Sequence, residues 1–286
     1  MTTTATRPTY EGRPLPRPDE EVVDQGLGFD ISTLLARRQV LEALGSISGF
    51  RAANGASADP FSTADGEVLD ETAGPSGAGS HGHDLLARSG IVRADIRSSL
   101  GPAGGTAEGV PMELELTVID LASGGAPLAG AAVYVWHCDR SGGYSMYSTG
   151  IATEDYLRGV QVADADGAVR FTSIVPACYA GRWPHIHFEV YRDEASVTDV
   201  ANVVAGSPVA LPQDMCHAVF AEPGYEQSVT NLTHVTLGTD NVYRDDGGAS
   251  RPAMVSGDVD TGYHVSLAVG VAVTSTATGA GAPRSR

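Results

Sequence analysis

The feature that most limits what this chain can fold into is a two-residue alternation of apolar and polar side chains. It recurs in short segments separated by turns. Met112-Glu113-Leu114-Glu115-Leu116-Thr117-Val118-Ile119 carries it most clearly. Successive side chains of an extended strand point to opposite faces, so such a run offers one face to a core and the other to a second layer or to water. A Gly124-Gly125-Ala126-Pro127 turn follows, and Ala132-Val133-Tyr134-Val135-Trp136 returns as another strand. Further strands are expected at Val169–Thr172, His185–Tyr191, Leu232–Leu237 and Tyr263–Val269, with Asp164-Ala165-Asp166-Gly167 turning the chain before the first of these. With 35 Gly, 16 Pro and 6% aromatic residues, the composition suits many turns better than long packed helices. The expected fold class is all-β, an antiparallel β-sandwich.

The N-terminal third reads differently. Residues 1 to about 30 are rich in Pro, Thr and charge and are expected to form an extended arm. Ile31, Leu34, Leu35, Arg38, Leu41 and Leu44 recur at helical spacing, which predicts a short helix over Ile31–Leu44, with Asp30 or Ser32 capping its start and Gly45 ending it. A lone helix of that length is marginal in water, so it must pack on its own core or on a second subunit, a possible homodimer contact. From Ala52 to about Asp84 the chain is Gly, Ser, Ala and Asp, which reads as a loop, and the pair His81/His83 within it as solvated. The organisation expected is therefore 1–84 as arm, short helix and Gly/Ser-rich loop, 85–273 as the β domain, and 274–286 as a disordered small-residue tail.

The formal net charge is −17, and all 18 basic residues are arginine. That balance excludes a nucleic-acid partner, whose phosphates need a basic face, and an anionic membrane surface. No run of some 18 apolar residues exists to cross a membrane. Residues Leu34–Leu41 resemble a degenerate twin-arginine export segment, but Glu42 interrupts what should be its apolar stretch, so a cytoplasmic location is expected. The cysteines, Cys138, Cys178 and Cys216, form no C-x-x-C pair and read as buried free thiols.

The most informative stretch is Tyr179-Ala180-Gly181-Arg182-Trp183-Pro184-His185-Ile186-His187-Phe188. On a strand, residues i and i+2 share a face, so His185 and His187 can present both imidazoles to one centre. Such a pair alone serves zinc, copper or iron equally well. Tyr179 lies six residues upstream behind a Gly/Pro turn, and Tyr144 follows the Gly142-Gly143 turn. A phenol titrates near pH 10, which makes it a poor ligand for soft or weakly acidic divalent ions. A hard ferric ion can depress that value and hold phenolate at neutral pH. Two phenolates, two neutral imidazoles and one hydroxide would balance a 3+ charge.

Three blocks resemble the intradiol ring-cleavage dioxygenases, the family of catechol and protocatechuate dioxygenases. They are Pro127–Asp139 running into Gly143-Tyr144-Ser145, then Leu157–Gly167, then Ile174-Val175-Pro176 through His187-Phe188. The resemblance implies a β-sandwich of the intradiol type holding a non-haem Fe(III), with Tyr144 and His185 in plane and Tyr179 and His187 as the axial pair. It implies that Tyr179 gives up the metal when a catechol binds and accepts a substrate proton. Arg182, beside the bound ring, would stabilise negative charge developing there. The partners implied are a small aromatic substrate and O2. Where the family carries an aromatic after Gly-Pro, this chain has Gly74-Pro75-Ser76, so Ser76 would leave a wider pocket, with Trp183 a further candidate wall and a bulky or polycyclic phenol the expected substrate. Two rival readings stay open: a tailoring oxygenase of secondary metabolism acting on a non-catechol ring with the same iron, and a β-sandwich binding module without metal.

Overall fold

A computed structural model describes residues 8–39, 78–100, 104–244 and 253–272. A two-strand hairpin, β1 (Thr9–Tyr10) and β2 (Arg13–Pro14), opens the chain and is followed by helix α1 over residues 27–39 and helix α2 (Ala78–Ser89). The strands β3 (Pro111–Asp120), β4 (Ala126–Pro127), β5 (Ala132–Trp136), β6 (Arg158–Val162) and β7 (Ala168–Ile174) come next. Then follow β8 (His185–Tyr191), β9 (Val203–Gly206), β10 (Val209–Ala210), helices α3 (Gln213–Phe220) and α4 (Glu226–Leu232), and finally β11 (Met254–Asp258) and β12 (Gly262–Val271).

These strands form two five-stranded sheets. In the first, β8 lies between β5 and an edge shared by β9 and β10, with β6 beyond β5; in the second, β3 lies between β12 and an edge shared by β4 and β7, with β11 beyond β12. The pairing is antiparallel throughout except β3 with β12, which run parallel, Tyr263 opposite Met112 and Val271 opposite Asp120. That pair corrects the expectation of a wholly antiparallel fold. Side-chain alternation is the same in either direction, so it carries no information about pairing sense.

The alternation does decide which face is buried. Val133 and Val135 of β5 and Ile186, Phe188 and Val190 of β8 share one apolar core with Leu114, Leu116, Val118, Phe171, Val265 and Leu267 of the other sheet. The opposite face of the first sheet is not left to water. Ala132, Tyr134 and Trp136 of β5, Val160 of β6 and Tyr191 of β8 pack against Val23, Leu27, Ile31 and Leu34 of the N-terminal segment and Leu86 of α2. Leu27, Ile31 and Leu34 recur every three or four residues, and each fully buried aliphatic side chain contributes about 1.5–3 kcal/mol.

Several elements depart from the sequence expectation. Helix α1 begins at residue 27 and not at Ile31, so Asp30 sits inside it with its side chain turned into the sheet; residues 40–44 of the expected helix lie outside the described residues. It packs on its own chain. Helix α2 occupies 78–84 where composition reads as loop, and His81 and His83 belong to it. Leu232–Leu237, expected as a strand, is the end of α4 and the turn after it. Thr233, Thr236 and Thr239 there engage in local backbone capping, the usual competitor of a strand ladder.

One buried polar cluster ties α1 to the sheet. The Asp30 carboxylate accepts hydrogen bonds from Tyr134 Oη, Tyr147 Oη and the Arg158 guanidinium, and Arg158, wholly buried, also donates to the Ser145 carbonyl at 2.8 Å. Burial raises the Asp30 carboxyl above the usual carboxylate range, and the Arg158 guanidinium and the two tyrosine hydroxyls oppose that rise without cancelling it. Removing one partner of such a pair strands a buried charge. Asp30→Ala should therefore cost about 3–5 kcal/mol of folding stability, read as a lower midpoint in urea. A loss below 1 kcal/mol would show the pair to be dispensable.

Candidate metal centre

Strand β8 sets the centre. All seven of its residues are buried, and the pitch that sends Ile186 and Phe188 into the core turns His185 and His187 to the face beneath the arm. His187 stands opposite Trp136 of β5 in register, and the two rings stack with centroids 4.9 Å apart and planes 9° from parallel. His185 Nδ1 lies 2.5 Å from the Trp183 carbonyl oxygen. A carbonyl can only accept, so Nδ1 carries the proton and Nε2 presents its lone pair.

The tyrosines arrive on loops that are held from several sides. Asp139 accepts from the backbone N–H of Ser141 and of Gly143, at 2.8 and 3.0 Å, which bends the chain tightly before Tyr144. Gly142, at φ +89°, is required in that turn twice over, because a Cβ there would lie 3.1 Å from Tyr179 Cβ. Next to Tyr179, the Cys178 N–H donates to Ser228 and the Cys178 carbonyl accepts from Asn231, so α4 fixes this segment.

The four side chains meet. Tyr144 Oη lies 3.4 Å from Tyr179 Oη, Tyr179 Oη 3.4 Å from His185 Nε2, and His185 Nε2 2.8 Å from His187 Nε2. Donors bonded at about 2 Å to one ion lie about 2.8 Å apart at right angles and about 3.3 Å apart at tetrahedral angles. The spacing therefore fits a shared ion without rearrangement. Among the described residues no group of three or more His, Cys, Asp or Glu stands ready to hold a metal by itself, so an ion at the histidine pair would draw on the phenols beside it. Two phenols with two imidazoles make a hard donor set that suits a trivalent ion.

Burial controls the protonation of all four. It pulls His185 down to about 3 and His187 further below the ordinary imidazole value, with Arg182 adding to both and His185 to His187, so each imidazole is neutral and fit to ligate. Burial pushes both tyrosines above the ordinary phenol value, so only a strong cation would ionise them.

A cavity of about 470 Å³ opens beside His187 and Trp136, lined also by Arg182, Asp24, Arg17 and Glu189. Arg182 Nε donates to Asp240 Oδ2 at 3.0 Å, while its Nη2 is buried without a hydrogen-bond partner. Asp240 is wholly buried; burial, which would raise it, is outweighed by the Trp183 and Val242 N–H groups and Arg182, and its carboxyl is held below the usual range. Trp183 does not join this cavity. Its ring is in the core, its indole N–H donates to the Leu211 carbonyl at 2.9 Å, and it lines a separate cavity against Phe220 and Leu232. Trp136 is both core and cavity wall. Ser76 lies outside the described residues. Asp24, Glu189 and Asp240 were not legible as site residues. Glu189 alone had a signal, because it follows His187 at the same two-residue pitch.

The remaining buried polar groups stand apart from the centre. The three cysteines are free and buried. His137 faces away from the centre, with Nε2 2.7 Å from Ser173 Oγ and Nδ1 2.8 Å from the Cys138 oxygen. Burial lowers it from 6.5 to about 4. The unfolded chain thus binds this proton near pH 6.5 and the folded chain only near 4, so its contribution to stability is lost as pH falls through that window. The metal-free protein should lose stability between pH 6.5 and 4, and His137→Gln should flatten that dependence; denaturation midpoints across the window, equally steep in both proteins, would exclude His137 as the source.

Comparison with known proteins agrees with this architecture. A family model described as "Dioxygenase" matches residues 93–195, which include all four donors. Chlorocatechol 1,2-dioxygenase from Rhodococcus opacus is 32% identical over a match covering 34% of this chain and 45% of that protein. Catechol 1,2-dioxygenase from Pseudomonas sp. (strain EST1001) is 30% identical over 44% of this chain and 36% of that protein. The chain thus spans less than half the length of these relatives. The solved intradiol ring-cleavage dioxygenase from Tetranychus urticae shares the fold at a TM-score of 0.51 and 22% identity, covering 64% of this chain and 87% of that one. Over residues 93–195 the chain is therefore similar to dioxygenases, and the relatives it matches there are catechol and chlorocatechol 1,2-dioxygenases. No helix among the described residues is long and apolar enough to cross a membrane.

Proposed function

We propose that the chain is a non-haem Fe(III) dioxygenase that cleaves a catechol-type ring between its two hydroxyl-bearing carbons, with both oxygen atoms of one dioxygen entering the product. The convergence of two phenol oxygens and two neutral imidazole nitrogens in steps of 3.4, 3.4 and 2.8 Å carries this reading. Tyr144, Tyr179, His185 and His187 would hold the ion. Bound there, ferric iron would supply Lewis acidity toward a chelated catecholate.

The chain's own groups divide the remaining work. Tyr179 is half-buried whereas Tyr144 is buried, so Tyr179 is the phenol with room to swing and take the proton of a catechol hydroxyl on Oη. Arg182 keeps a buried guanidinium N–H free at the cavity wall, where it can stabilise negative charge on the ring. His185 is oriented by the Trp183 carbonyl, and His187 by its stack on Trp136, which also covers it from water. The cavity volume, about 470 Å³, falls in the range that holds ligands larger than one small ring, and with serine at position 76 this favours a bulky or polycyclic phenol.

The test starts with anaerobic loading of the full chain with ferrous iron, followed by oxidation. Charge transfer from tyrosinate to iron should turn the concentrated protein wine-red, and a panel of catechols and polycyclic phenols should perturb the band. Turnover under isotopically labelled dioxygen should place both labels in a ring-opened product. Tyr179→Phe should lower kcat by about 10²–10⁴. A colourless, iron-free protein would favour a binding module, a singly labelled or unopened product would favour a tailoring oxygenase, and catechol itself turned over far faster than any larger phenol would exclude the bulky substrate.

A further inference from the structure

A fifth group reaches the same centre from outside the segment that carries the other four. A single 3-10 turn, Val22–Asp24, lays the arm across the outer face of β8, and Asp24 Oδ1 lies 3.4 Å from His187 Nε2. That separation equals the steps between the two phenols and between Tyr179 and His185. Asp24 Oδ1 is buried and makes no well-formed hydrogen bond, the Trp136 indole N–H being the donor beside the carboxylate. A buried carboxylate oxygen so poorly satisfied is costly.

The position of Asp24 is not incidental, because the arm is fixed on both sides of it. Arg17 donates from Nη1 to the Asp24 carbonyl at 2.9 Å and from Nη2 to Glu189 Oε1 at 2.5 Å. On the other side, the Leu27 N–H donates to Glu189 Oε2 at 3.1 Å. Gly26 makes this approach possible; at φ +88°, a Cβ there would lie 2.8 Å from Glu189 Oε1. The Gln25 amide group donates to the Arg17 carbonyl and its oxygen accepts from the Arg17 N–H, closing the turn. Glu189 is two residues beyond His187 on the same strand face, so the anchor that holds the arm also sets the height of Asp24 over the imidazole.

We propose that Asp24 is a fifth oxygen donor, delivered by the arm, to the ion held by Tyr144, Tyr179, His185 and His187. This rests on the reading that those four bind ferric iron. Two phenolates and one carboxylate carry three negative charges, which balance a 3+ ion with two neutral imidazoles and no added anion. Asp24 and Tyr179 carry one charge each as anions, so a doubly charged catecholate taking their place would leave the charge of the centre unchanged. The arm would therefore determine whether the centre is open to small anions before substrate arrives.

The experiment compares the iron-loaded full chain with Asp24→Asn, which preserves shape, and with Asp24→Ala. Loss of an anionic donor leaves the ion more electron-poor, so the tyrosinate charge-transfer band should move to longer wavelength in both variants. Azide, titrated as a small anionic probe, should bind Asp24→Ala about tenfold more tightly than the wild type, because the position it seeks is no longer filled. A red wild type whose band and azide affinity are unchanged in both variants, even with a lower melting temperature, would overturn the Asp24 assignment alone. A wild type with no tyrosinate band would overturn the four-ligand reading and this one with it.

Discussion

The structure turns on the alternation of β8. Ile186, Phe188 and Val190 point into the core between the sheets, and that leaves His185, His187, Glu189 and Tyr191 on the other face. In a two-layer β protein such a face would ordinarily meet water. Here the arm, α1 and α2 cover it, and covering it is what makes it chemically useful. Desolvation keeps the two imidazoles neutral, and neutral imidazoles can ligate.

Coverage demands that the arm be held by polar contacts that burial does not penalise. Glu189 is the first anchor, taking Arg17, the Leu27 N–H and the Tyr191 hydroxyl. Asp30 is the second, and its influence extends further. It fixes Arg158, which in turn binds the Ser145 carbonyl and hydroxyl beside Tyr144. Met146, one residue on, adopts φ +72°, a conformation that costs energy for a side chain of that size and persists only where surrounding contacts impose it. The arm and the loop bearing Tyr144 are thus parts of one buried polar network. A chain without the arm would expose the histidines and loosen a tyrosine together.

Arg182 shows the same economy of fixed charge. Asp240 holds the guanidinium at Nε and takes the Trp183 N–H as well, leaving Nη2 free at the cavity wall. A rigid cation with one uncommitted donor costs nothing further to organise when charge develops beside it. Its neighbour Trp183 is drawn into the core by the Leu211 carbonyl, which explains why a tryptophan next to the site takes no part in lining it.

How much of this could be read beforehand follows from what each signal depends on. The strands β3, β5, β7, β8 and β12, the shared face of His185 and His187 and the turn of His137 away from that face follow from a two-residue period, which is local. Tyr144 and Tyr179 entered through resemblance in local motifs, since nothing in their spacing alone brings two phenols together. Asp24 and Glu189, 165 positions apart in sequence, line one cavity only because the arm crosses β8, and no local pattern encodes that crossing. The parallel pairing of β12 with β3, the early start of α1 and the helical 78–84 segment were equally hidden, because each depends on what the element packs against. The sequence by itself determined which side chains share a face, since side-chain direction along a strand is a property of the backbone. Only the tertiary structure decided which faces are dry and which distant carboxylates reach them, because burial and long-range contact exist only once the layers have closed.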